Sequence, residues 1–386
     1  MRNAVFLLLI GFGLGFTATT TAKEPGTTAR AGLSDYFPPT EERGGWRSLL
    51  PESGEPDSTQ KAEIRRTAGV DWDKLQDAWK HNASAPGGTG LLVIRKGYVV
   101  GEWYRDAERT TPFNIYSSSK SYTSTAYGLV LDDFHNPVPT GGKKLTLDTA
   151  VCNAEWLPES LPLPDPRKAK ITVRHLLNMA SGLGPEPVPQ DKKPFETSLG
   201  HVEGSPFAKL KAEPGEKFNY SNAGVAHLVL VFQRAAGSDL FPFLKERLFE
   251  PIGMTQLRWQ QIGGDGAIGP FNQGYSGIHT NPRQHARFCY LALHRGEWAG
   301  KRIVPETYYD FAWKGTAAKA DYGAQWWVSP HVPDAPRDLV MTLGRDHNDG
   351  FVCPSLDLVF VRLGNGSKFP KDFERDLVHK VLAAVE

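Results

Sequence analysis

Ser117-Ser118-Ser119-Lys120-Ser121-Tyr122-Thr123-Ser124-Thr125-Ala126-Tyr127-Gly128-Leu129-Val130 is the stretch whose reading decides the fold. Positions i and i+3 are neighbours on one helix face, so a helix starting here brings the Lys120 amine beside the Ser117 hydroxyl. Tyr122, Ala126, Leu129 and Val130 form the apolar stripe of such a helix, buried along one side. A serine is a poor nucleophile until a neighbouring base takes its proton. Burial lowers a lysine from its ordinary pKa of about 10.4 and makes the neutral amine accessible. The bland reading is an N-capping serine followed by an exposed lysine. A second Ser-x-x-Lys, Ser58-Thr59-Gln60-Lys61, lies in a polar, acidic stretch with no apolar helix behind it and is read as a decoy.

A second cluster, Tyr220-Ser221-Asn222, follows Glu213 to Asn219. In an extended segment residues i and i+2 face the same way, so Tyr220 and Asn222 can enter one cleft. A phenol there can relay a proton, and the amide can hold a substrate amide or the lysine. The alternative is an ordinary turn.

Outward from these segments, the sequence turns to strands at both ends. Trp72, Leu75, Ala78 and Trp79 recur at helical spacing and predict a helix at about 70–82. Leu91 to Ile94, then Lys96-Gly97, then Tyr98 to Tyr104 predict a β-hairpin. Thr172 caps a short helix that Gly182 stops, and Asn281-Pro282 opens another. Strands are expected at Tyr322 to Val328, Phe351 to Cys353 and Leu358 to Leu363, before a last helix from Pro370 to Val385. The fold class is therefore α/β (α+β): one antiparallel sheet built from both termini and flanked by helices, with an inserted, mostly helical subdomain at about 113–300.

The chain has 386 residues with 44 Lys plus Arg against 43 Asp plus Glu, so nothing marks it for nucleic acid or an anionic membrane. A small-molecule or peptide substrate is the expected partner; oligomeric state stays open. Arg2, the apolar Val5 to Phe16 and the small residues Thr17 to Ala22 read as an export signal (residues 1–22), placing the protein in a periplasm or outside the cell. The apolar stretch is short for a membrane span. Residues 23–65 read as an extended leader and 66–386 as the hydrolase domain. Cys152, Cys289 and Cys353 are too few for a disulfide framework and read as small buried residues. No His-Glu-x-x-His and no Gly-x-Ser-x-Gly occurs, and Asp346-His347-Asn348-Asp349 reads as a polar loop, not a metal site. No cofactor is called for. His279 and His285 read as surface or packing residues, and the pairs Trp326-Trp327 and Tyr308-Tyr309 as core.

Several further segments carry a family resemblance. They are Ile171 to Leu177 ending in Ser181-Gly182-Leu183, Pro214-Gly215 through Asn222 and Gly224, Pro251-Ile252-Gly253-Met254, Ala286-Arg287-Phe288, and Gly300 to Pro305. In order and spread over roughly residues 85–365 they resemble class C β-lactamases, D-alanyl-D-alanine carboxypeptidases and the related esterases and amidases. The resemblance implies a serine hydrolase with Ser117 as the acylated nucleophile, Lys120 as its partner, Tyr220 as general base and acid, and Asn222 orienting substrate. The usual third motif, Lys-Thr-Gly or His-x-Gly, is replaced by Thr342-Leu343-Gly344-Arg345-Asp346. Gly344 would admit substrate to the strand, and the Arg345 N–H would join that of Ser117 as an oxyanion hole. The missing lysine points away from a dedicated β-lactamase and towards relatives that cleave esters or linear amides, such as aminohexanoate-oligomer hydrolases. A rival implication is a penicillin-binding sensor that is acylated but does not turn over.

Overall fold

The computed structural model describes residues 33–134, 143–189 and 193–386. The stretch expected to be an export signal, 1–22, and the start of the expected leader lie outside the described residues. Six antiparallel strands form the main sheet: β1 (Thr89–Arg95), β2 (Tyr98–Arg105), β3 (Trp327–Val328), β4 (Val340–Thr342), β5 (Asp349–Cys353) and β6 (Leu358–Gly364). Their order is β3-β4-β5-β6-β1-β2, so the two ends of the chain meet at the β6–β1 seam, in register from Thr89↔Gly364 to Arg95↔Leu358. The expected hairpin turn is present, with Lys96 and Gly97 at φ 50° and 72°. A two-residue turn with positive φ at both positions matches the twist of its strands.

Side chains alternate across a strand, so this sheet feeds two cores. Leu91, Val93, Phe351 and Phe360 pack beneath α2 (Trp72–Ser84) and α7 (Phe373–Ala383), through Leu75, Leu377 and Val381. Leu92, Ile94, Val359 and Val361 face the larger core around α6 (Pro282–Leu293). Both faces are covered, which is why β1 and β6 read as unbroken apolar runs. The inserted segment contains α3 (Ser119–Val130), α4 (Val173–Leu177), α5 (Asn222–Ala236) and α6. It also carries a small sheet of Phe113–Asn114, Ile278–Thr280 and Leu257–Trp259.

Three expectations change in detail. Helix α3 is buried along its whole length, not on one stripe. Its small polar side chains make this tolerable, because each finds a carbonyl: Ser121 donates to Gln325, Thr123 to Gly274 and Ser124 to Ala324. The expected strand at Tyr322 to Val328 shrinks to β3, because Gln325 stands at φ 62° and its side-chain amide donates to the Leu176 and Leu177 carbonyls. Third, the decoy Ser58–Lys61 does sit in a helix, the first turn of α1 (Ser58–Ala68), with Asp57 and Gln60 forming a capping box. Lys61 there pairs with Asp73 at 2.7 Å.

The leader before α1 is fastened to the domain. Leu49 N–H donates to the Val99 carbonyl, Trp46 is buried, and the buried Arg287 donates to the Pro38 carbonyl at 3.1 Å. All three cysteines are buried and free. Among the described residues no helix is long and apolar enough to cross a membrane.

Candidate active site

Ser117 lies in a single 3-10 turn, Tyr116–Ser118, that runs directly into α3. Tyr116 before it is held at φ 45°, a conformation costing about 1–2 kcal/mol for a residue with a Cβ. The Asn114 side chain accepts the Tyr116 N–H at 2.9 Å and fixes this turn. On the far side, the Ser118 hydroxyl lies 2.9 Å from the Thr342 carbonyl and 2.6 Å from that of Asn348, tying the turn to the end of β4.

One helical turn on, Lys120 Nζ donates to Ser117 Oγ at 3.0 Å and to the Tyr275 carbonyl at 2.9 Å. The lysine is 1% exposed and no carboxylate among the described residues offsets its charge, so burial pulls its pKa down to about 7. Tyr220 packs against this pair, with Lys120 Nζ 4.8 Å from its ring centre and its phenol close enough to Ser117 to feel that hydroxyl. Burial raises the phenol and the Ser117 bond lowers it, for a net pKa of about 12. Trp327 stacks on the Tyr220 ring at 6.1 Å, and Tyr322 meets it edge-on at 6.1 Å. Ser117, Lys120 and Tyr220 therefore converge on one spot.

The segment presenting Tyr220 is held by the chain just after α4. Gly215 N–H donates to the Ala180 carbonyl, and Asn219 N–H to that of Met179. Thr172 and His175 cap α4 reciprocally. Asn222 begins α5 behind the Ser221 cap, and its side-chain oxygen is buried without a protein partner.

At the third motif, Gly344 lies against the Ser117 turn: a Cβ there would stand 2.2 Å from the Ile115 carbonyl oxygen and 2.8 Å from that of Asn348. The glycine thus lets β4 and the serine turn approach each other, a reason the sequence reading had assigned to substrate. Arg345 is exposed at the rim, its guanidinium 5.6 Å from the Tyr116 ring centre.

Sequence reasoning missed a buried relay behind this wall. Tyr122 Oη lies 2.8 Å from His285 Nδ1, and His285 Nε2 lies 3.0 Å from Thr342 Oγ1. Burial drives the His285 pKa down to about 3, so the ring is neutral and joins α3 and α6 to β4 by hydrogen bonds alone. Sequence reasoning also missed Glu374 on α7. With His347 and Asp349 it forms a cluster whose ligand-type atoms lie within 4.8 Å of one another. The imidazole sits between the carboxylates at 3.6 Å and 3.5 Å, and one Asp349 oxygen already accepts the Gly344 N–H. Burial would lower the His347 pKa, but bonds and charges from Asp349 and Glu374 outweigh it and hold it up at about 9. The cluster is an ion-pair strut between α7 and the third motif.

The family profile described as Beta-lactamase matches residues 75–385. Protein flp of Staphylococcus aureus is 23% identical over 209 residues, covering 50% of this chain and 40% of its own. Penicillin-binding protein 4* of Bacillus subtilis is 28% identical over 181 residues, covering 45% of this chain and 36% of its own. The matched region thus spans well under half the length of both relatives. A putative 6-aminohexanoate-dimer hydrolase from Bacillus anthracis superposes with a TM-score of 0.62 at 18% identity, covering 88% of this chain and 86% of the other. With the profile spanning most of the chain and the fold shared, the protein belongs to the Beta-lactamase family and has a hydrolase fold.

Proposed function

We propose that the protein is a serine hydrolase that transfers the acyl group of an amide or ester to water through an ester on Ser117. The observation carrying this reading is the 3.0 Å contact between Ser117 Oγ and an amine buried with no counter-ion among the described residues. Neutral Lys120 takes the hydroxyl proton as Ser117 Oγ attacks the carbonyl carbon. The Lys120–Tyr220 pair returns the proton to the departing amine or alcohol, and the carbonyl reforms as the Ser117 ester. Water then loses a proton to the same pair, attacks the ester and releases the acid, and Ser117 recovers its proton. The phenol, held near 12, stays protonated at neutral pH and serves as the relay to the leaving group. Asn222 orients the substrate amide, and the backbone N–H groups of Ser117 and Arg345 receive the oxyanion.

The substrate class follows from the third motif. Without a lysine there, a β-lactam carboxylate loses its usual charge partner, with Arg345 as the remaining cation. Linear amides and esters, including cell-wall D-amino-acid peptides, are the preferred substrates. Export belongs to the same proposal and rests on the pattern of Arg2, Val5 to Phe16 and Thr17 to Ala22.

The test is Ser117→Ala, which is expected to abolish turnover of a chromogenic ester with the circular dichroism unchanged; equal activity would refute the assignment. The altered third motif also motivates a second reading, a sensor that is acylated but does not turn over. Intact mass followed over time with a fluorophosphonate and with penicillin separates the two. A lasting penicilloyl adduct favours the sensor, and rapid ester turnover favours the enzyme.

A further inference from the structure

A cavity lies at the edge of the main sheet opposite the proposed acyl-transfer site. The proposed nucleophile is tied to β4, whereas this cavity opens over β2, four strands away in the order β3-β4-β5-β6-β1-β2. Its volume is about 680 Å³, within the range that holds small ligands. The fastened leader forms one wall, and α2, β2 and the start of α6 form the others.

Its chemistry is mixed in a specific way. Trp103 on β2 stacks on Trp79 of α2 with centres 6.0 Å apart and planes 8° from parallel, and meets Trp72 at 6.0 Å and 42°. Trp79 and Trp103 are half-buried, while Trp72 is 3% exposed. The Trp72 indole N–H is buried without a partner in the protein. That donor leaves one hydrogen-bond position unused in the Trp72 wall of the cavity. At the rim Glu102 is gripped by Arg283 at 2.8 Å and by Arg109 at 3.2 Å.

These features narrow the ligand class by exclusion. An anion meets three carboxylates, Glu52, Glu55 and Glu102, while both lining guanidiniums already pair with Glu102 and Arg283 also with Glu41 at 3.0 Å. A cation finds the Glu102 carboxylate already held by two guanidiniums, Glu52 and Glu55 out in solvent, and the Trp72 face already carrying Lys61 Nζ 4.9 Å from its ring centre. A purely apolar ligand would desolvate Glu102, Glu52 and Glu55 without return. What remains is a neutral molecule with flat C–H faces for indoles and hydroxyls for the exposed Glu52, Glu55 and Arg109 side chains. We infer that this cavity is a binding site for a neutral saccharide, separate from the proposed acyl-transfer site and independent of that reading.

Isothermal titration of the full-length protein with cellotriose, chitotriose and maltotriose tests this. Saturable binding of at least one is expected, weakened roughly ten-fold by either Trp103→Ala or Trp79→Ala, the scale of one lost aromatic stack. Chromogenic-ester turnover should be unchanged in both variants. Trp79 lies at the flank of α2, so Trp79→Ala keeps the test valid should Trp103→Ala fail to fold. The inference is overturned by no saturable binding of any of the three sugars. It is equally overturned by affinity that survives in the folded variants, or by binding abolished when a fluorophosphonate blocks the catalytic serine.

Discussion

The Asp349 carboxylate accepts the Gly344 backbone N–H at 2.9 Å, so a fully buried acid fixes the strand end that faces the Ser117 turn. Burial raises this acid to about 6, while the His347 hydrogen bond works against the rise. Asp349→Ala should lower kcat/KM for an ester by roughly 10–100-fold through misplacement of the Gly344–Arg345 edge. Asp349→Asn, which keeps an acceptor oxygen, should recover most of that loss. Equal kinetics in Asp349→Ala and wild type would show that the strut does not reach the site.

The same strut carries a pH signature. His347 is held above its unfolded value, so its contribution to stability is complete below about pH 6.5 and lost as pH rises through about 9. His347→Gln should therefore lower Tm near pH 6 and have no effect near pH 10, measured by calorimetry. A pH-independent difference would contradict the ion-pair account.

Lys120 gives the opposite trend. Folding lowers its pKa to about 7, so between there and the ordinary lysine value the unfolded chain holds the extra proton. Raising the pH through that window therefore stabilises the fold. Lys120→Met, which removes a buried amine, should raise stability near pH 6 by about 1–3 kcal/mol while abolishing ester turnover. In the wild type, kcat/KM should climb with a single inflection near 7 and then level off. An inflection near the ordinary lysine pKa would remove Lys120 as the base.

For Tyr220 the informative change is to Phe, which keeps the packing against Trp327 and Tyr322 and deletes only the phenol oxygen. A lost proton relay should reduce kcat by about 10²–10⁴-fold with Tm nearly unchanged. Labelling of Ser117 by a fluorophosphonate should persist, because its leaving group needs no protonation. Loss of both labelling and turnover would place the phenol's role in activating the serine itself.

Much of this was legible in the residues. The three-residue spacing of Ser117 and Lys120, the apolar runs of β1 and β6 and the cap at Asn281 are local signals, and local periodicity reports local structure. What escaped notice depends on contacts between distant segments. The neutral His285 relay joins residues 122, 285 and 342, and Glu374 meets His347 only after the last helix has docked. Helix α3 read as one-sided because serines and threonines normally mark a solvated face. Here their hydroxyls are spent on carbonyls of chain segments that sequence cannot place beside it. The strand expected at Tyr322 to Val328 failed for a related reason, since Gln325 turns back to bind the Leu176 and Leu177 carbonyls.

Gly344 offers the sharpest test of how the third motif meets the proposed nucleophile. Its φ of −123° is ordinary extended backbone, so conformational freedom does not explain a glycine there. Space does: a methyl group would stand 2.2 Å from the Ile115 carbonyl oxygen, two residues before Ser117. Gly344→Ala must push β4 away from the serine turn, at a cost of about 1–3 kcal/mol for overpacking. The displacement separates the Arg345 N–H from that of Ser117, so kcat should fall by roughly 10²–10³-fold, the scale of one oxyanion donor. Fluorophosphonate labelling, which also passes through an oxyanion, should slow in parallel. Normal turnover and normal Tm in Gly344→Ala would mean that the strand end and the serine turn are not in close contact, and the assigned oxyanion pair would go with it.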